Sequence, residues 1–355
     1  MKFVDTYYKT PRPDIKIDSR LSQKLRALSY LGAFCVVCLH FAHFIDTSTW
    51  VSAFLNDAII RGAFFASVSM FFMFSGMLLV KDFDGTTLWW KRSIQKRVKT
   101  LLVPYLFWCI AYGVAFILKN NTHQFSSVDF WLRCFGISPY HPLPIYCQMW
   151  YVRNLFLLCL VSPLLIVLVN WISRRRVLEF VSCAIFVLAS VLDFPLKDQT
   201  VMAMLYFMAG IYLGFNSRWL KRKIPNWISW TLALLLVIRG IGRHLWGTPS
   251  PYLHWIVFAF TIAWVWRFYD FAVSFKSVDS FLKNRWMVDL QSTSFFLYCF
   301  HMWIVLWYPH WPICMNGWVL QPVLQSIVVL AVAYVLYLAI RKYAPILMNM
   351  MTGGR

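Results

Sequence analysis

Acid is what this sequence has least of. Glutamate occurs once, at Glu179, and Asp plus Glu number 14 of 355 residues against 34 Lys plus Arg. Scarce carboxylates argue against a proton pump working through glutamates, and against a transporter driven by rows of intramembrane acids. Charged residues of both signs make up 14% of the chain, where a soluble domain carries about a quarter. A soluble globular protein is therefore excluded. The net charge of +20 does not mark a nucleic-acid binder, because the basic residues sit in short clusters between apolar runs. Fixed-period repeats are missing too. No gap between apolar runs would hold a soluble domain; the longest is 119–148. A metal-type cysteine pattern is also missing. Cys35 and Cys38 have C-x-x-C spacing, but they lie inside an apolar run without a partner pair and read as small hydrophobes. Cys134 and Cys147 fall in one expected outer loop, which leaves a disulfide between them open.

What is present is apolar sequence. Hydrophobic residues make up 60% of the chain, with mean hydropathy +0.60. A hydrocarbon core needs about 20 apolar residues per helix. Ten windows qualify: 27–45, 62–80, 101–118, 149–170, 177–192, 201–215, 226–242, 252–269, 289–307 and 321–340. Each must be helical, because an unpaired backbone is not tolerated in lipid. The expected fold is an all-α polytopic membrane protein of about ten transmembrane helices. A basic segment, 1–26, precedes a transmembrane domain, 27–345, and a tail, 346–355, follows. The polar, basic first 26 residues do not read as a cleavable leader.

Orientation follows from the basic clusters. With the N-terminus in the cytoplasm, 27 of the 34 Lys and Arg fall on the inner side. Both termini are then cytoplasmic. Arg239 and Arg243 remain at the outer end of the seventh window, where they either snorkel to the interface or meet a partner.

The first window contains "LGAFCVVCLHFAHF", Leu31 to Phe44. Everything in it suits lipid except His40 and His43. Asp46 follows three residues after His43, within reach of it on a helix. The second window carries "SVSMFFMFSGMLL", Ser67 to Leu79. A basic linker follows, "WWKRSIQKRVKTLLVPYLFW", Trp89 to Trp108. The fourth opens "MWYVRNLFLLCLVSPLL", Met149 to Leu165. Later come "YFMAGIYLG" (206–214), "TSFFLYCFHMWIV" (293–305) and a closing "MTGGR". In order and spacing this succession resembles the acyltransferase 3 family of bacterial integral membrane acyltransferases, over about residues 20 to 355.

The resemblance implies a multi-pass enzyme of the bacterial inner (cytoplasmic) membrane. It implies transfer of an acyl group, commonly acetyl, from acyl-coenzyme A on the cytoplasmic side. The acceptor it implies is a hydroxyl of an envelope glycan or its lipid-linked precursor. It maps the catalytic histidine onto His40. It also implies an arginine eleven residues earlier, where this chain has Ser29. Arg26, fourteen before His40, lies within about 40° of the same helix face and is the substitute candidate.

The chemistry suits these residue types. Attack of a hydroxyl on a thioester needs a base, and histidine titrates near working pH. The bland reading of His40 is a helix–helix hydrogen-bonder. His43 and Asp46 form a candidate outer vestibule, while Ser75 and His301 are candidate catalytic support. Arg26, Lys91, Arg92, Lys96, Arg97 and Lys99 are candidates for the donor phosphates, the arginines foremost because guanidinium binds phosphate through two bonds at once. They also satisfy the positive-inside rule. Trp150, Tyr151 and Arg153 are candidates for the sugar. For Ser75–Gly76 close helix packing is the favoured role over a hydroxyl near the thioester. No metal and no nucleic acid is expected. The competing class is a secondary transporter or flippase, which needs repeat symmetry or intramembrane acids. A haem protein needs matched histidine pairs that His40, His43 and His301 do not supply convincingly.

Overall fold

The computed structural model describes residues 12–45, 47–120, 127–141, 143–191, 199–246, 254–307 and 320–354. Among the described residues 83% are helical and no strand occurs, so the all-helical expectation holds. The described residues of every apolar window are chiefly helical. The helices are α1 (Ser19–Phe41), α2 (Trp50–Leu55), α3 (Ala66–Val80), α4 (Thr87–Arg97), α5 (Val103–Asn120) and α6 (Val128–Phe135). They continue as α7 (Trp150–Leu160), α8 (Ser162–Ser173), α9 (Arg176–Val191), α10 (Gln199–Phe215), α11 (Trp227–Trp246) and α12 (His254–Ala272). The last are α13 (Lys276–Lys283), α14 (Arg285–Ser292), α15 (Ser294–Trp307), α16 (Gln321–Tyr343) and α17 (Pro345–Thr352). Two π-helical stretches interrupt the early spans, Asn56–Phe64 between α2 and α3 and Val98–Leu102 between α4 and α5.

Four described helical stretches are long and apolar enough to cross a membrane: Ser19–Phe41, Trp50–Val80, Thr87–Leu118 and Gln321–Tyr343. Two bent pairs raise this to six, and three further apolar helices are shorter. The window 149–170 is a broken pair, α7 and α8, bent by 72°. The cause is local. Pro163 has no N–H to continue the ladder, and Ser162 Oγ instead donates to the Cys159 carbonyl at 2.8 Å. After α12 the chain turns by 102° into α13, whose Lys276, Asp279 and Lys283 do not suit lipid.

The chain folds as two compact units, 1–85 with 165–334, and 86–164 with 335–355. In the first, α1 starts at Ser19, before the apolar window, because Asp18 caps it and accepts from the Leu21 N–H at 2.7 Å. Helices α3 and α10 pack backbone to backbone. A Cβ on Gly76 would sit 2.1 Å from the Phe207 carbonyl oxygen, and one on Gly210 would sit 1.9 Å from that of Met73. The "FSG" of the second window therefore serves close approach through Gly76, while Ser75 is half-buried beside it.

In the second unit, the stretch read as a tail is α17, with Met348, Met351 and Thr352 buried. Trp108 Nε1 donates to the Met351 carbonyl at 3.0 Å. The apolar run "PILMNMM" thus has a helix face to bury and a cap to end on. Gly353 follows in the left-handed region at φ 70°, and a Cβ there would lie 2.5 Å from Thr100 Cα. Cys134 is buried and Cys147 exposed, and both are free thiols.

Candidate active site

Helix α1 ends at Phe41, so His40 is its penultimate residue. It is half-buried. Helix α15 packs against α1 and carries His301, which is wholly buried. The two imidazole rings lie 5.0 Å apart, centroid to centroid, with 42° between their planes. Residues 261 positions apart in sequence thus form one cluster.

The backbone of α15 orients His301. Its Nδ1 lies 2.6 Å from the Tyr298 carbonyl oxygen and 3.3 Å from that of Leu297. A carbonyl only accepts, so Nδ1 is the protonated nitrogen. In the neutral ring Nε2 then carries the lone pair. That Nε2 is buried and has no hydrogen-bond partner. A buried acceptor left so costs about 1–3 kcal/mol, a cost that substrate contact would remove.

A second polar feature leads toward this pair. Ten residues before His40 stands Tyr30, and ten before His301 stands Gln291. Helices α14 and α15 each pack on α1. The Tyr30 hydroxyl and Gln291 Oε1 are buried without hydrogen-bond partners. Nearer the start of α1, Lys24 Nζ lies 2.8 Å from Asp270 Oδ2 and 3.7 Å from the Trp266 ring centre. This pair pins α1 to α12. Arg26 is exposed on α1. The side chain of His43 and the whole of Asp46 lie outside the described residues.

The second unit holds the other candidates. Arg92, Lys96 and Lys99 are exposed, and Arg97 is half-buried with an Nε that has no hydrogen-bond partner. Of the linker cations Arg97 is thus the most enclosed. Arg153 donates from Nη1 to the Gly136 carbonyl at 3.0 Å and from Nε to Asn154 Oδ1 at 3.2 Å. It clamps the turn after α6 onto α7, which is a helix-orienting task. Tyr151 is buried and Trp150 half-buried, so Trp150 has the more ring surface to offer a sugar. Among the described residues no group of three or more His, Cys, Asp or Glu is placed to hold a metal.

The pattern described as "Acyltransferase domain" matches residues 24–338. The chain belongs to the acyltransferase 3 family. The family expectation drawn from the motif order therefore holds, and the matched stretch includes both histidines. The chain is also similar to the succinoglycan biosynthesis protein ExoH of Rhizobium meliloti (strain 1021), at 24% identity over 330 residues, 86% of this chain and 82% of that protein. No solved structure matches the chain.

Sequence reading missed several residues here. Tyr30 and Gln291 carry no motif. Lys24 looked like one more inner-side cation. The signal was Asp270, a carboxylate at the end of an apolar window in a chain that has few.

Proposed function

We propose that this acyltransferase 3 family member moves an acyl group from acyl-coenzyme A to a hydroxyl of an envelope glycan or its lipid-linked precursor in the bacterial inner membrane. The observation that carries the reading is the pair of histidine rings 5.0 Å apart within the apolar helices of an acyltransferase. The similarity to a protein of succinoglycan biosynthesis supports a saccharide acceptor.

In this reading His40 is the general base. It takes the proton from the acceptor hydroxyl as that oxygen attacks the thioester carbonyl. The tetrahedral intermediate then collapses, the C–S bond breaks, and the proton passes to the departing thiolate. His301, its Nδ1–H held by Tyr298, offers Nε2 as an acceptor for a second donor group of the bound acceptor, such as a neighbouring sugar hydroxyl, while the reacting hydroxyl donates to His40. Tyr30 and Gln291 supply one hydroxyl and one amide to the amide-bearing arm of the donor on its way to the thioester. Arg97 and Arg92 suit the donor's phosphates by charge and by the guanidinium fork.

The test is transfer of label from acetyl-coenzyme A to a purified envelope glycan by the protein in detergent. His40→Gln keeps a polar side chain but is no base at neutral pH. The expected loss is about 10²–10⁴-fold. A folded His40→Gln protein with near-normal turnover would overturn the assignment.

A further inference from the structure

Helix α11 treats its cations in two ways. Arg239, in its second half, is 3% exposed, and its Nε donates to the Asp57 main-chain carbonyl at 2.9 Å. The cations ahead of its first turn are on the surface. All four Lys and Arg in 217–223, between α10 and α11, are exposed, and so are the three arginines 174–176 at the junction of α8 with α9.

The fold brings these segments together. Tyr212, in the last turn of α10, donates from its hydroxyl to Glu179 Oε1, in the first turn of α9, at 3.0 Å. Arg218 is close enough for its charge to act on Tyr212. The segment before α1 joins them as a strap. The Ser217 N–H donates to Asp14 Oδ1 at 2.8 Å, and the Ile15 N–H donates to the Gly214 carbonyl at 3.3 Å. Ile15 is buried there, while Arg12 and Lys16 on either side stay exposed. Three stretches far apart in sequence thus form one basic surface.

Positive-inside charge accounts for cations at this level. It does not account for their setting. The Arg222 guanidinium carbon lies 4.1 Å from the centre of the Trp219 ring, and that of Arg175 lies 5.7 Å from the Trp171 ring. Both tryptophans are exposed. Such rings sit at the headgroup level of a bilayer, and stacking on them holds a guanidinium fork ready for an anion. Val177 and Phe180, next to Arg176, are 73% and 75% exposed. A soluble polyanion has nothing to lay on those side chains. A phospholipid has: its phosphate meets the arginines and its acyl chains meet the apolar residues.

We propose that the α8–α9 junction, the α10–α11 junction and the strap at residues 12–18 form a binding surface for the headgroups of acidic phospholipids. Basic clusters beside membrane helices bind such lipids by charge. The strap leads straight into α1, so a lipid bound there holds the start of the helix that carries His40. The inference does not rest on the acylation reading, and its test needs no transfer assay.

The experiment uses the full chain in a mild detergent, with bound lipids counted by native mass spectrometry. Phosphatidylglycerol is compared with phosphatidylcholine of the same acyl chains. Each cation near an anionic headgroup is worth about fivefold in affinity. Wild type should therefore prefer phosphatidylglycerol by about tenfold or more, and Arg175→Gln with Arg222→Gln should remove most of that preference. Equal affinity of wild type for the two lipids, or an unchanged preference in the double variant, would overturn the site. Displacement of phosphatidylglycerol by soluble glycerol phosphate at equal concentration would assign the surface to a soluble anion and overturn the lipid occupant. If the double variant does not insert, Arg222→Gln alone decides, since it leaves the other cations in place. A loss of about fivefold in phosphatidylglycerol affinity upholds the surface, and no loss overturns it.

Discussion

His301 Nδ1 sits 2.6 Å from the Tyr298 carbonyl, one turn back on the same helix, and this bond decides which nitrogen faces chemistry. The anchored nitrogen donates, so the other accepts. Asparagine can imitate the anchored N–H but has nothing in place of Nε2. His301→Asn should therefore insert and fold while transfer falls by about tenfold or more, as expected for loss of a charge-assisted or catalytic contact. His301→Gln places its polar end nearer the Nε2 position and should recover part of the rate. Equal, near-wild-type turnover in both would reduce His301 to a packing residue.

Tyr30 and Gln291 offer a test in which stability and activity move apart. Their polar atoms are buried without partners, so Tyr30→Phe and Gln291→Leu should leave the unfolding midpoint unchanged or raised, by up to about 1 kcal/mol of stability. Donor KM should rise in both. Lower stability with unchanged donor KM would mean that these atoms serve the fold and not the donor.

The close packing of α3 on α10 predicts a different outcome. Gly76→Ala and Gly210→Ala drive a Cβ into main-chain carbonyls at about 2 Å, where no side chain can yield. Each should cost at least the about 1–3 kcal/mol typical of overpacking, seen as loss of the monodisperse peak in size-exclusion chromatography. Ser75→Ala, next door, should be folded and monodisperse. Normal chromatographic behaviour of both glycine variants would refute the backbone contact.

At the other end of the chain, Gly353 and Gly354 both have positive φ, 70° and 74°, but only Gly353 is crowded. Alanine at either position costs about 1–2 kcal/mol for its conformation. At Gly353 it also strikes Thr100. Thermal unfolding should therefore rank wild type above Gly354→Ala and that above Gly353→Ala. A reversed order would mean that α17 does not end against Thr100 as described.

Much of this was legible in the amino-acid order. Length and polarity of the apolar windows fix where helices form, because lipid tolerates no unpaired backbone, and the described residues of all ten windows are chiefly helical. The motif order carried the family, and with it His40. The number of true crossings was less legible, since Pro163 turns one window into two helices and three apolar helices are shorter than a span. Hydropathy sums residues and does not see a bend. Only the tertiary structure decided which polar residues share a place. His40 with His301, Lys24 with Asp270 and Arg239 with Asp57 are joined across long stretches of chain by helix packing, and side-chain pairing at such separation leaves no periodic trace in one sequence. The same holds for Gly76 and Gly353. Small residues are visible in any sequence, but what presses against them is settled only when the helices meet.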